Sequence, residues 1–223
     1  MVYTNDRMNF IKNNISHVTF IIFVAVHGLL YQNLLIAFGI SVLLLIHEWG
    51  HLREIKKYNI PHSPPIFIPF MGAVIGMTDV IDEKVEMNIA IGGPLIGTLA
   101  AVIVGALGII FSSTELVMIS LVGILINLIN TLVTVSPFDG GRIMNRILPL
   151  SKVSGLLITF VLVWVHTIFV LFAIVSIHSL GKKLPTTTLS VKERFTWIFA
   201  WFALVLVQFI SFVLIVKGRL IIQ

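Results

Sequence analysis

The sequence predicts an all-α integral membrane protein of about six transmembrane helices, with a short re-entrant or interfacial β-hairpin between the second and third. Three observations carry that prediction. Of 223 residues, 57% are hydrophobic and only 11% charged, where a soluble domain carries about 25% charged residues. Several apolar runs reach the roughly 17–25 residues that a helix needs to cross the hydrocarbon core. One further stretch has too many prolines to be helical at all.

The first span runs from Ile15 to Tyr31 and the second from Leu34 to Leu52, separated by the polar step Gln32-Asn33. The third covers Met87–Phe111, the fourth Glu115–Val135, the fifth Val153–Leu180 and the sixth Phe195–Val216. Arg7 and Lys12 before the first apolar run imitate a signal peptide. No small-residue cleavage site follows, so the run is read as a retained span.

The net charge of +5 comes from basic residues scattered between apolar segments. They read as topology signals, without the clustered basic stripe of a nucleic-acid interface. With the N-terminus inside, the inner side holds eleven basic residues: Arg7, Lys12, Arg53, Lys56, Lys57, Lys84, Arg142, Arg146, Lys152, Lys217 and Arg219. The outer side holds four, Lys182, Lys183, Lys192 and Arg194. Basic residues favour the cytoplasmic side, so the expectation is a multi-pass cell-membrane protein with both termini cytoplasmic. The chain has no cysteine, which excludes disulfides, zinc ribbons and thiol catalysis.

Between the second and third spans, Ile60–Met77 contains Pro61, Pro64, Pro65 and Pro69, with Gly72 and Gly76 and short apolar runs between them. Such runs bounded by Pro and Gly suggest strands. Irregular backbone at membrane depth is tolerated where protein covers it or it lines a water-filled cavity. An ordinary cytoplasmic loop is the alternative reading.

Chemistry concentrates at His47-Glu48-Trp49-Gly50-His51. Residues four apart on a helix share a face, so both imidazoles reach one Zn²⁺ at about 2.0–2.1 Å. Glu48, beside the first histidine, is placed to take a proton from a metal-activated water without binding the metal. The motif ends the unbroken apolar run Val42–Ile46, a setting where ionisable groups are costly and rare without a purpose. A catalytic zinc takes three protein ligands and leaves one position open. Asp139, in Ser136-Pro137-Phe138-Asp139-Gly140-Gly141-Arg142, is the best third candidate, since it falls on the same side as His51. Local sequence equally allows it to cap a helix starting near Arg142. Asp79, Asp82, Glu83 and Glu86 are other carboxylates in the preceding loop.

Asn127 and Asn130 share a face of the fourth span. They are candidates to bind substrate backbone or orient a zinc ligand, or simply to bond between helices. His27, His166, His178 and Gln208 are solitary polar residues, read as packing or interhelical bonds. Gly92, Gly93 and Gly97 are read as allowing close helix approach.

Together, H-E-x-x-H in the second span and Asp139-Gly140-Gly141 after the fourth resemble the site-2 protease family of intramembrane zinc metalloproteases. Pro69-Phe70-Met71-Gly72-Ala73 and Gly92-Gly93-Pro94 add to the likeness. The resemblance implies His47, His51 and Asp139 as ligands of one Zn²⁺ per chain and Glu48 as the catalytic base. It also implies transmembrane protein or peptide substrates, unwound locally for cutting. In that family the aspartate motif reads Asn, then Pro, then Pro-Leu-Asp-Gly. Here Phe138 replaces the leucine, Thr134 stands at the earlier proline, and Asn130 lies one residue further upstream. Residues 1–223 read as a single membrane-embedded metalloprotease domain. They have no room for the PDZ or CBS domains of many relatives, so substrate choice would rest on the membrane region or a regulatory membrane partner. Two other readings are a membrane metalloprotease with a glutamate third ligand, from Glu115 or Glu193, and a non-hydrolytic zinc-binding chaperone or transporter. Intact Glu48 argues against the last.

Overall fold

A computed structural model describes residues 3–69, 72–78, 82–134, 138–147 and 188–221. Helix α1 covers Tyr3–Tyr31 and α2 Leu34–Lys57. A two-stranded hairpin follows, β1 at Ile66–Ile68 and β2 at Gly72–Val74. Then come α3 (Glu83–Ile110), α4 (Thr114–Leu132), α5 (Asp139–Ile147) and α6 (Val191–Ile221). Five of these helices, all but α5, are long and apolar enough to cross a membrane. The predicted fifth span, Val153–Leu180, lies outside the described residues, as do His166 and His178.

The turns follow from local chemistry. Asn33 caps α2 by accepting the Ile36 N–H at 3.0 Å. Asp82 caps α3 by accepting from Lys84 and Val85, and Ser113 caps α4 by accepting from Leu116. Each supplies an acceptor to a first-turn N–H that has no partner within its helix. Asp82 starts α3 at Glu83, a turn before the apolar stretch that predicted it, and α2 runs on to Lys57, where the Tyr58 N–H donates to Glu54 O.

Helices α2, α3, α4 and α6 share a core of Leu43, Ala101, Val117, Ile119, Ile124 and Ile215. Between apolar helices in lipid, association rests on close backbone approach through small residues. The α2–α3 crossing shows this: a Cβ on Gly50 would collide with the Gly92 carbonyl, and one on Gly92 would sit 2.7 Å from the Gly50 carbonyl. Gly92 thus has the role predicted for it. Val18, Ile21 and Leu29 on α1 and Phe195, Phe199 and Phe202 on α6 are exposed, a surface suited to lipid contact.

The hairpin pairs Ile66 with Val74, Phe67 with Ala73 and Ile68 with Gly72, antiparallel. Gly72 has φ +99° at the turn, a conformation open to glycine without steric cost. Phe67 is buried against Phe23 and Leu44, and its N–H is taken by Thr19 Oγ1 of α1 at 3.2 Å. In an antiparallel ladder a residue whose N–H turns away from its partner strand sits in a non-hydrogen-bonded pair. Ala73, opposite Phe67, therefore directs its own N–H and C=O to the outer edge of β2. The β1 edge is covered by α1, and among the described residues no strand pairs with the outer edge of β2.

One expectation is corrected. Helix α6 runs in the same direction as α3. Thr188 donates to the Glu83 carboxylate, and Lys84 Nζ lies 2.6 Å from Glu193 Oε1. At the other end, Arg219 contacts Met118 near the start of α4, and Gly218 packs on Ile109 near the end of α3. Lys192 and Arg194, expected opposite the His47–His51 end, therefore lie on its side, while Lys217 and Arg219 lie away from it. The expectation came from alternating the six predicted spans; the ion pair and hydrogen bonds at Glu83 and Lys84 overturn the placement of Lys192 and Arg194. The C-terminal end of α6 is accordingly on the opposite side from Arg53 and Lys84.

Candidate metal centre

His47, Glu48 and His51 are buried on α2, and Asp139 is buried as the first residue of α5. Arg142 N–H bonds back to Phe138 O at 3.1 Å, so α5 begins three residues earlier than expected and Asp139 lies inside it. The ligand atoms of His47, His51 and Asp139 all fall within 4.8 Å of one another.

Hydrogen bonds fix which imidazole nitrogens are available. Asn127 Nδ2 donates to Gly123 O at 2.8 Å, so its Oδ1 is the acceptor facing His47 Nδ1 at 2.8 Å. His47 Nδ1 must then carry the proton. His51 Nδ1 faces the Ile89 carbonyl at 2.7 Å, an acceptor only, so it too is protonated. Both neutral rings therefore turn the lone pair of Nε2 inward.

Those Nε2 atoms are 3.0 Å apart, and each is 3.3 Å from Asp139 Oδ2. Three acceptor atoms converging this closely repel one another unless a cation sits among them. The spacing also has the right size. Tetrahedral coordination at about 2.0–2.1 Å places ligand atoms about 3.3 Å apart. Nitrogen and oxygen donors in this number, each imidazole held from behind, suit Zn²⁺.

Asn130 grips Asp139 at two points, donating to Oδ2 at 2.7 Å and accepting the Asp139 N–H at 3.2 Å. The shifted position of this asparagine in the motif does not prevent contact. Of the roles weighed for Asn127 and Asn130, the geometry brings both onto prospective ligands; their amides are turned to His47 and Asp139.

Two glycines clear the space. A Cβ on Gly93 would collide with the His51 ring, and one on Gly97 would lie 2.5 Å from Asn127 Oδ1. The Ile89 carbonyl has no counterpart in side-chain reasoning, because any residue supplies one.

The rival carboxylates are engaged elsewhere. Glu193 lies at the correct end but pairs with Lys84 and Ser190. Glu115 sits at the far end beside Ser113, Glu86 pairs with Arg146, Glu83 accepts from Thr188, and Asp82 caps α3. Asp79 lies outside the described residues.

No family model matches the chain. The chain is 32% identical over 152 residues to a zinc metalloprotease of Methanocaldococcus jannaschii. That alignment covers 63% of this chain and 43% of the relative, less than half of the relative's length. Over the aligned stretch the chain is a homologue of a zinc metalloprotease, in keeping with the resemblance its two motifs carry.

Proposed function

We propose that the protein is an intramembrane zinc endopeptidase of the site-2 protease type, cutting peptide bonds in or near transmembrane segments of membrane proteins. The observation that carries this reading is the buried triangle of His47 Nε2, His51 Nε2 and Asp139 Oδ2, with separations of 3.0, 3.3 and 3.3 Å. Two of its three atoms come from α2, a helix long and apolar enough to cross a bilayer. One Zn²⁺ per chain is held by these three atoms, on the side where basic residues collect. That side is assigned to the cytoplasm.

Zinc, when bound, supplies the Lewis acidity that makes water nucleophilic near neutral pH and polarises the scissile carbonyl. The chain's own residues do the rest. Asn127 and Ile89 O keep both imidazoles in the tautomer that leaves Nε2 free, and Asn130 holds the Asp139 carboxylate. Glu48 accepts the proton released as water attacks and passes it to the leaving amine. A substrate helix hides its peptide groups in internal hydrogen bonds and must unwind first. The outer edge of β2 receives the extended segment by strand addition, with Ala73 N–H and C=O as the pairing groups.

The test is metal removal and return. Purified protein stripped with a chelator is expected to lose cleavage of a transmembrane reporter, and one equivalent of Zn²⁺ to restore it. Activity that survives complete stripping overturns the reading. The hairpin has its own check. Ala73→Pro removes the edge N–H, and cleavage of a membrane-embedded reporter is expected to fall about tenfold, for loss of a hydrogen bond plus ring clash. Zinc content is expected to stay unchanged. Unaltered turnover would remove the edge from the mechanism.

A further inference from the structure

Among the described residues no hydrogen bond joins α6 directly to His47, His51 or Asp139, and two of its polar contacts toward them meet at Thr131. Helix α4 stops at Leu132, so its last carbonyls have no partners within the helix. The Thr131 carbonyl accepts the Trp201 indole N–H of α6 at 2.9 Å. A Cβ on Gly140 would collide with the same carbonyl, so α5 crosses there, one residue after Asp139. The Thr131 hydroxyl donates to Asn127 O at 2.8 Å and accepts from Gln208 Nε2 of α6 at 3.1 Å. Gln208 Nε2 also reaches Thr98 Oγ1 of α3 at 3.1 Å, beside the Gly97 that makes room for Asn127.

Gln208 is fully buried, and its Oε1 has no hydrogen-bond partner among the described residues. A leucine would fill this position without burying an unmet polar atom. The contribution of the amide is therefore its two N–H donations, which tie α6 to α3 and to the last turn of α4. That turn and the one before it carry Asn130 and Asn127, which hold Asp139 and His47.

We infer that Trp201 and Gln208 are positioning residues for the metal centre, acting through Thr131 on Asn127 and Asn130. This rests on the reading of His47, His51 and Asp139 as metal ligands. Removing groups behind a ligand typically lowers metal affinity 10- to 100-fold. These two residues stand one step further back, so an effect near the lower end, about tenfold each, is expected.

The experiment uses the full chain in detergent, with Co²⁺ as a spectroscopic substitute. Trp201→Phe and Gln208→Leu are expected to weaken Co²⁺ in chelator competition and to shift its ligand-field bands. Leu204→Ala, a buried change on the same helix that touches none of these bonds, controls for general loosening: it lowers thermal stability and leaves the bands in place. In a Thr131→Val background, Gln208→Leu is expected to add little. Wild-type affinity and spectrum in both α6 variants overturn the inference. So does an equal spectral shift in Leu204→Ala at matched stability. A wild type that takes up no Co²⁺ overturns the metal-centre reading itself, and this inference with it.

Discussion

Asp139→Ala is expected to lose bound zinc and proteolysis together. Two helices supply the three prospective ligands, and α5 supplies only Asp139. Without that carboxylate, two neutral imidazoles 3.0 Å apart have no anionic partner to balance a divalent cation. Loss of a group behind a ligand costs 10- to 100-fold in affinity, so loss of a ligand is expected to cost at least about 100-fold. The substitution also strips Asn130 of its partner at 2.7 Å, and a buried amide left unmet costs about 1–3 kcal/mol. Asp139→Asn separates the two effects. It keeps shape and an acceptor oxygen for Asn130 while removing the charge, so it is expected to fold like the wild type and still bind zinc poorly. Dialysed protein assayed for zinc, beside thermal unfolding of each variant, gives the answer. Full zinc occupancy in Asp139→Ala would show that Asp139 is not the third ligand.

The sequence carried the prospective ligands but not their supports, for a physical reason. Helical spacing alone puts His47 and His51 on one face, and the Pro-Phe-Asp-Gly-Gly turn marks Asp139 as a carboxylate returning toward α2. The partners behind them depend on how helices cross. Asn127 and Asn130 share a face in sequence, but only the α2–α4 packing decides that one meets His47 and the other Asp139. The Ile89 carbonyl is invisible to any reading of side chains. Gly93 was legible as a site of close approach, though not as the space for the His51 ring. The hairpin was legible from its prolines and glycines, whereas which of its strands α1 covers was not, because Thr19 of α1 claims the Phe67 N–H from 48 positions away. The direction of α6 was misread because alternating the predicted spans put Lys192 and Arg194 on the far side, and nothing local in the sequence shows the partner of Glu193. In the fold, Glu193 between them pairs with Lys84 and draws that turn to the metal end.

Glu48→Gln is expected to do the opposite of Asp139→Ala, keeping zinc and losing catalysis. Glu48 is buried, at 5% exposure, but it is not among the three residues whose ligand atoms converge. Its position next to His47 turns it about 100° around α2 from that histidine, beside the candidate metal site without contributing to it. A glutamine fits the same volume and keeps a hydrogen-bonding end, so the fold and the three ligand atoms have no reason to move. What it cannot do is accept a proton from the attacking water. A positioned general base contributes about 10²–10⁴-fold, and a loss of at least that size is expected in turnover of a transmembrane reporter, with zinc binding within a few-fold of wild type. The pair of variants distinguishes two ways of being inactive. A chain that merely carried zinc would respond to Asp139→Ala and be indifferent to Glu48→Gln, since metal holding makes no demand on that carboxylate. Equal zinc content with abolished cleavage in Glu48→Gln is the signature of a hydrolase, and unchanged cleavage would assign proton transfer to another group.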